Sequence, residues 1–389
     1  MLLNRLKRGN GNEPNLRSMD KAPTYRILIG GGGTGGHVFP AIAIADALKE
    51  EYPGTEFLFV GAKGKLEMEK VPEAGYSIVG LPVAGFQRRL TLKNISFFYR
   101  LLVSMIRSRR IVGRFSPDLA VGVGGYASGP ILKAAARKGV PILIQEQNSY
   151  AGVTNRLLAR SARTICVAYE RMDRYFPADR IVITGNPVRK DLLDLQVKPP
   201  EGFREFGIEQ GKTICLVLGG SLGARTLNQS FLEGMDKLDR EDLILLWQCG
   251  RLYQAEVEGQ VRTGGLKNIR VLPFIGRMDL AYGLADLIVA RAGAITISEL
   301  CIVGRPVILV PSPNVAEDHQ RHNAEALVEL EAARMVPDDR AREQLVDQML
   351  ELIADRAERE KLAKNIKQLG RRDASRQIAA EAGKILAGP

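Results

Sequence analysis

Three stretches carry residue types and spacings that could hold a phosphorylated ligand. In Gly30-Gly31-Gly32-Gly33-Thr34-Gly35-Gly36-His37, a glycine run follows the apolar Ile27-Leu28-Ile29 and precedes apolar residues at helical spacing from Val38 to Leu48. Glycines let a backbone turn sharply and approach a ligand closely, and the N–H groups at a helix start, backed by the helix dipole, favour an anion. A second run, Gly219-Gly220-Ser221-Leu222-Gly223-Ala224, adds the hydroxyl of Ser221. The third, Ala294-Ile295-Thr296-Ile297-Ser298-Glu299, opens a helix and sets the carboxylate of Glu299 among apolar neighbours, where it could accept from two ribose hydroxyls. Each has a plainer reading: a tight turn without a ligand for the loops, a helix-surface acid for Glu299. Neither loop ends in Lys-Ser or Lys-Thr, so neither is a Walker-type loop, and ATP hydrolysis is disfavoured.

The elements that must position these residues repeat. In the first half, apolar runs at 27–29, 56–61, 118–123, 140–145 and 181–184 read as strands, each closed by glycine or polar residues. The cluster Glu146-Gln147-Asn148 stands just past one of them, where open α/β sheets bind ligands. A Rossmann unit for NAD places an acid near the end of its second strand to hold the ribose. Here the chain reads Gly61-Ala62-Lys63, which argues against NAD and leaves Lys63 as an opening for a 2′-phosphate. The second half restarts the pattern with strands at 213–218, 243–248, 269–274, 286–289 and 307–310. Gly139-Val140-Pro141-Ile142-Leu143-Ile144 and Gly304-Arg305-Pro306-Val307-Ile308-Leu309 each follow a strand, a glycine turn and a helix. The expected architecture is therefore α/β, two Rossmann-like doubly wound domains facing across a cleft. Expected divisions are an extension over 1–24, an N-terminal domain over 25–185, a hinge over 186–209, a C-terminal domain over 210–370 and a final helix over 371–389.

Composition narrows the class. At 389 residues the chain exceeds what one core usually supports, and 45% hydrophobic residues suffice for a sizeable interior. No apolar run approaches the roughly 20 residues that span a bilayer, and the polar start reads as neither signal peptide nor anchor. Cys166, Cys215, Cys249 and Cys301 lie far apart and read as reduced, buried, structural thiols. With three histidines and no Asp-x-Asp, no built-in metal site and no cofactor is expected. The net charge of +11 is unevenly placed: residues 1–185 hold 27 basic against 14 acidic residues, and 186–389 hold 28 against 30. No acid lies between Glu73 and Asp118, a segment rich in arginine and interleaved with apolar residues. It reads as a basic amphipathic helix, suited to an anionic membrane surface or to a solvated face of a core helix. Nucleic acid is not an expected partner, because no groove-reading or base-stacking motif accompanies the charge.

Seven motifs in order carry a more specific signal. They are Gly31 to Pro40, Gly124-Gly125-Tyr126-Ala127-Ser128-Gly129-Pro130, Gln145-Glu146-Gln147-Asn148 with Ala151-Gly152-Val153-Thr154-Asn155, Gly185-Asn186-Pro187-Val188-Arg189, Gly219 to Ala224, Arg291 to Glu299, and Asp318-His319-Gln320-Arg321-His322-Asn323-Ala324. From about Arg26 onward the chain closely resembles the bacterial MurG family, the UDP-N-acetylglucosamine:undecaprenyl-pyrophosphoryl-N-acetylmuramyl-pentapeptide N-acetylglucosaminyltransferases. The resemblance implies a glycosyltransferase B fold and metal-independent transfer of GlcNAc from UDP-GlcNAc to the muramyl 4-hydroxyl of lipid I, with inversion, to give lipid II. It implies donor contacts at Ser221 near the diphosphate, at Ile275 and Ala294, Ile295, Thr296, Ile297 and Ser298 around uridine, at Glu299 on the ribose and at Gln320 on the sugar. Arg189 would reach the donor from the hinge. Thr34, Gly35, Gly36 and Asn148 would close on the sugar, and Tyr126 and Asn155 would line the acceptor side. It also implies a peripheral protein on the cytoplasmic face of the cell membrane, docked through Phe86 to Arg114.

Inverting transfer needs a base for the acceptor hydroxyl and stabilisation of the leaving diphosphate. His37 is the candidate base, since an imidazole with an ordinary pKa near 6.5 suits proton abstraction near neutral pH; Glu146 is the reserve. Where the family often has His before Glu-Gln-Asn, this chain has Gln145, which cannot serve as a base. The rival readings are an NADP-dependent oxidoreductase, a UDP-sugar epimerase or another glycosyltransferase of the same fold, and a non-catalytic polybasic binder.

Overall fold

A computed structural model describes residues 24–83, 93–220, 222–315 and 318–388, with the backbone alone for 93–98. Ser221, named above as a donor contact, lies outside the described residues, as do 1–23 and the first part of the basic segment, 84–92.

The first half builds a seven-stranded sheet from β1 (Arg26–Gly30), β2 (Glu56–Ala62), β3 (Ser77–Leu81), β4 (Leu119–Gly122), β5 (Ile142–Glu146), β6 (Thr164–Val167) and β7 (Ile181–Ile183), in the order β3-β2-β1-β4-β5-β6-β7. The second builds a six-stranded sheet from β8 (Thr213–Leu218), β9 (Leu243–Gln248), β10 (Ile269–Leu272), β11 (Leu287–Ala290), β12 (Val307–Leu309) and β13 (Arg334–Met335), in the order β10-β9-β8-β11-β12-β13. Every pairing is parallel. Helices cover both faces, so β4, β5, β9 and β11 are buried along their whole length and read as continuous apolar runs rather than alternating ones. Strand order reverses between β1 and β4 and between β8 and β11. Crevices at the carboxyl ends of such switch points are where open α/β sheets take ligands, and both glycine loops sit there. All four cysteines are buried and unpaired.

The basic segment forms a helix over Lys93–Phe115. Ser104, Ser108 and Val112, spaced by four, are buried, and this helix packs on Ser128–Arg137. Its solvent side exposes Tyr99, Leu102 and Ile106 among Arg100, Arg107, Arg109, Arg110 and Arg114. No helix among the described residues is long and apolar enough to cross a membrane.

The last helix, Ala374–Leu386, returns to the first half. Its buried residues Ile378, Ala379 and Ala382 share a core with Ile27, Ile29, Val38, Ile44 and Leu48. Gly383 is needed there, because a Cβ would stand 2.0 Å from the Tyr52 hydroxyl. The chain thus passes between the halves twice, and the passages touch: at Gly185, with φ +85, a Cβ would meet Arg371 Cδ at 2.7 Å. Arg372 also donates to the Leu193 carbonyl.

Candidate active site

The donor-type pocket lies at the carboxyl edge of the second sheet. It is a cavity of about 270 Å³ bordered by Gly220, Gln248, Ile275, Arg291 and the start of the helix Ala294–Val303. Gly35, Gly36, Phe39 and Leu66 close it from the first half, and Arg189 enters from the connection between the halves. The helix Ala294–Val303 makes its first internal bond from Ile297 N–H to Gly293 O at 2.9 Å, so the N–H groups of Ala294, Ile295 and Thr296 precede the intrahelical ladder. These are the backbone donors that an anion or a base edge needs.

Glu299 stands on the next turn at the pocket floor, 6% exposed. Its Oε1 accepts from Arg189 Nε at 3.1 Å and its Oε2 from the Tyr282 hydroxyl at 3.1 Å. Burial works against the Arg189 charge, but the Glu299 carboxylate beside it, with Tyr282 and Asp191, outweighs that and raises its pKa. The same guanidinium lies 4.5 Å from the centre of the Phe39 ring, which belongs to the helix following the first glycine loop. A cation on an aromatic face away from bulk water adds to this bridge between the halves. Asn186 Nδ2 to Ser298 Oγ at 3.0 Å and Ser149 Oγ to Asn323 Oδ1 at 3.2 Å are further bridges.

The first glycine loop differs from the anion site expected of it. Glu67, 2% exposed, fills it from within its own half: Oε2 accepts from Gly33 N–H at 2.9 Å and Oε1 from Ala62 N–H at 2.8 Å. A Cβ on Gly32 or Gly61 would strike this carboxylate or its stem. Lys63 is exposed, with the base of its side chain against Gly80 on β3. Glu67→Ala should leave the buried N–H of Ala62 and the part-buried N–H of Gly33 without partners, costing roughly 2–4 kcal/mol in denaturant unfolding, and Glu67→Gln should cost less.

His37 sits on the first turn of the helix Gly35–Glu51, which starts beyond Thr34 in extended conformation. Its Nδ1 is 3.2 Å from Thr34 Oγ1, and the Cδ2–Nε2 edge faces Gly124, where a Cβ would come within 3.0 Å. With Nδ1 protonated towards Thr34, Nε2 carries the lone pair. The residue is part-exposed, and the burial of its ring pushes its pKa down to about 4, so the ring is neutral at neutral pH.

Glu146 is 1% exposed and organises the loop after β5. Its Oε1 accepts from Asn148 N–H at 3.1 Å and Nδ2 at 3.2 Å, and Oε2 from Gly152 N–H at 3.0 Å and Asn155 Nδ2 at 2.9 Å. Burial raises its pKa and these donors oppose the rise. Gln145 donates to Asn186 Oδ1 at 3.0 Å and accepts from Gln147, a structural use of the position. Tyr126 is exposed at the mouth of an apolar groove of about 730 Å³ that runs between Met105, Pro130 and Leu157, with Lys133 and Arg137 beside it.

Gly35, Gly36, Arg189, Ile275, Ala294, Ile295, Thr296 and Glu299 therefore converge on one pocket, while Thr34 and His37, which flank Gly35 and Gly36 in the chain, do not line it. Ile297 points into the core instead, Ser298 is spent on Ala294 O and Asn186, and Gln320 accepts from Ser312 N–H at 2.9 Å outside the pocket wall. Phe39, Glu67, Gln248 and Tyr282 are the site residues that sequence reading missed. Gln248 ends an apolar strand and takes Ile275 N–H at 3.0 Å, a strand-end polar residue that could have been singled out.

Comparison with known proteins agrees with this geometry. Residues 27–167 match the glycosyltransferase family 28 N-terminal domain and 214–378 its C-terminal domain. The chain is 52% identical over 362 residues to the "UDP-N-acetylglucosamine--N-acetylmuramyl-(pentapeptide) pyrophosphoryl-undecaprenol N-acetylglucosamine transferase" of Parabacteroides distasonis, covering 93% of this chain and 98% of that one. The chain belongs to the MurG family. A MurG-family relative of the same name from Cytophaga hutchinsonii is 50% identical over 368 residues, covering 95% and 99%. The crystal structure of Acinetobacter baumannii MurG superposes with a TM-score of 0.70 at 28% identity, covering 93% of this chain and all of that one. A UDP-GlcNAc 2-epimerase from Neisseria meningitidis bound to UDP-GlcNAc shares the fold, with a TM-score of 0.65 at 14% identity over 92% of this chain.

Proposed function

We propose that the protein transfers GlcNAc from UDP-GlcNAc to the muramyl 4-hydroxyl of lipid I, forming lipid II with inversion at the sugar. The observation that carries this reading is near-full-length identity of about 50% to transferases of that name, joined to a pocket built for a nucleoside diphosphate. The donor's ribose lies at Glu299, its base near Ile275 and Ala294 to Thr296, and its diphosphate towards Arg189 and Gly220. The acceptor hydroxyl attacks the anomeric carbon opposite UDP, its proton passes to His37 Nε2, and the bond to the diphosphate oxygen breaks. Arg189 offsets the charge that develops on that oxygen, the task given elsewhere to a metal. Glu146 serves this scheme by holding Asn148 and Asn155 in place.

The acceptor comes from the membrane. The groove beyond Tyr126 suits its lipid, and the helix Lys93–Phe115, with Tyr99, Leu102 and Ile106 exposed among arginines, suits a peripheral position on an anionic bilayer. Binding to vesicles with anionic lipid should weaken as salt rises; binding indifferent to salt would remove the electrostatic part of this reading.

The decisive assay is UDP release from UDP-GlcNAc in EDTA, with and without a short-chain lipid I analogue. Release only with acceptor, giving a β1→4 disaccharide, is expected. Interconversion of the sugar without acceptor would make the protein an epimerase, and absence of UDP-GlcNAc binding would overturn the nucleotide-sugar reading.

A further inference from the structure

Tyr282 is fully buried, yet its hydroxyl reaches Glu299, the one buried carboxylate among the described residues that line the donor pocket. The residue sits in the helix Met278–Leu284, whose members are nearly all buried, so a phenol there is a polar group placed in a core at some cost unless it is partnered. Its partner is Glu299 Oε2, while Arg189 Nε occupies Oε1. A carboxylate has about four acceptor positions, so one bond to each oxygen leaves each able to accept once more. The two existing bonds come from opposite partners and fix the plane of the group, so its remaining lone pairs have a set direction. Tyr282 cannot compete as an acid: burial, and next the Glu299 charge, hold its pKa far above the ordinary value, and the hydroxyl remains a donor.

We propose that Tyr282 is a positioning residue that gives the donor site its selectivity for ribose over deoxyribose, by pinning the Glu299 carboxylate against Arg189. This rests on the reading that Glu299 receives the ribose hydroxyls. A carboxylate held on one side only can rotate to satisfy itself when a hydroxyl is missing, and so discriminates less. One held on both sides is left with an unfilled acceptor when the hydroxyl is absent, and discriminates more.

The test is calorimetric titration of the full chain and its Tyr282→Phe variant with UDP and with 2′-deoxy-UDP, alongside steady-state kinetics with UDP-GlcNAc. The native protein should prefer UDP by about tenfold or more. In Tyr282→Phe that preference should shrink by about three- to tenfold, with UDP weakened and 2′-deoxy-UDP little changed, and KM should rise more than kcat falls. Equal weakening of both nucleotides would show that the phenol only supports the core, and an unchanged preference would likewise overturn the proposal. If the native protein shows no preference, the ribose assignment of Glu299 fails and the role of Tyr282 falls with it. Turnover of UDP-GlcNAc would still stand.

Discussion

His37→Ala should lower kcat by about 10²- to 10⁴-fold, the usual contribution of a positioned base, while UDP affinity in the C-terminal half stays close to native. The reason is spatial: the ring belongs to the first turn of the helix Gly35–Glu51 in the first half, and the pocket walls that would hold uridine come from the second. The pH profile is a second readout. A histidine with an ordinary pKa loses its basic form near pH 6.5, whereas enclosure pushes His37 down to about 4. The acid limb of kcat/KM should therefore lie below pH 6.5, and His37→Ala should abolish it. The same depression makes the folded state bind this proton less readily than the unfolded chain. Its stabilising contribution is present above about pH 6.5 and is lost as the pH falls towards 4. An acid limb at 6.5 or above, or a variant with native kcat, would remove His37 from the base role.

Arg189→Ala should be nearly as damaging, in two separable ways. Loss of the cation beside the leaving diphosphate should lower kcat by about 10²- to 10³-fold. Glu299 would also remain buried without its cation, with the Tyr282 hydroxyl alone beside it, a loss of roughly 3–5 kcal/mol in stability. The double variant Arg189→Ala with Glu299→Gln should recover much of the thermal midpoint and none of the turnover. Arg189→Lys should not rescue, because an ammonium cannot both stack flat on Phe39 and present Nε to Glu299. Recovery of activity in the double variant would separate Arg189 from catalysis.

The two sheets were legible because buried parallel strands write themselves as short apolar runs closed by glycine. β3, β6 and β13 escaped: each is two to five residues long, and β3 has only Leu81 fully buried. The order of residues in the motif Ala294 to Glu299 was readable, but which of them face a ligand was not. A helix turns 100° per residue, which sends Ile297 to the core while Thr296 and Glu299 face the cavity. Glu67 left no signal at all. An acid in the first turn of a short helix is ordinary, and only the fold brings it under Gly33. The final helix was legible as a helix, but its apolar stripe says nothing about which half it covers.

That last helix changes how the protein can be made. The interior that supports the first glycine loop and His37 is completed by Ile378, Ala379 and Ala382, which leave the ribosome after almost everything else. At about 5–20 residues per second, synthesis of the intervening chain takes on the order of tens of seconds. Throughout that interval the first half exposes an unfinished apolar face, and the second half, whose core clusters run to Leu362 and Ile366, is completed only shortly before that helix. The first half, although made earlier, waits for the helix Ala374–Leu386 to be made, and during that wait its apolar face is a target for chaperones.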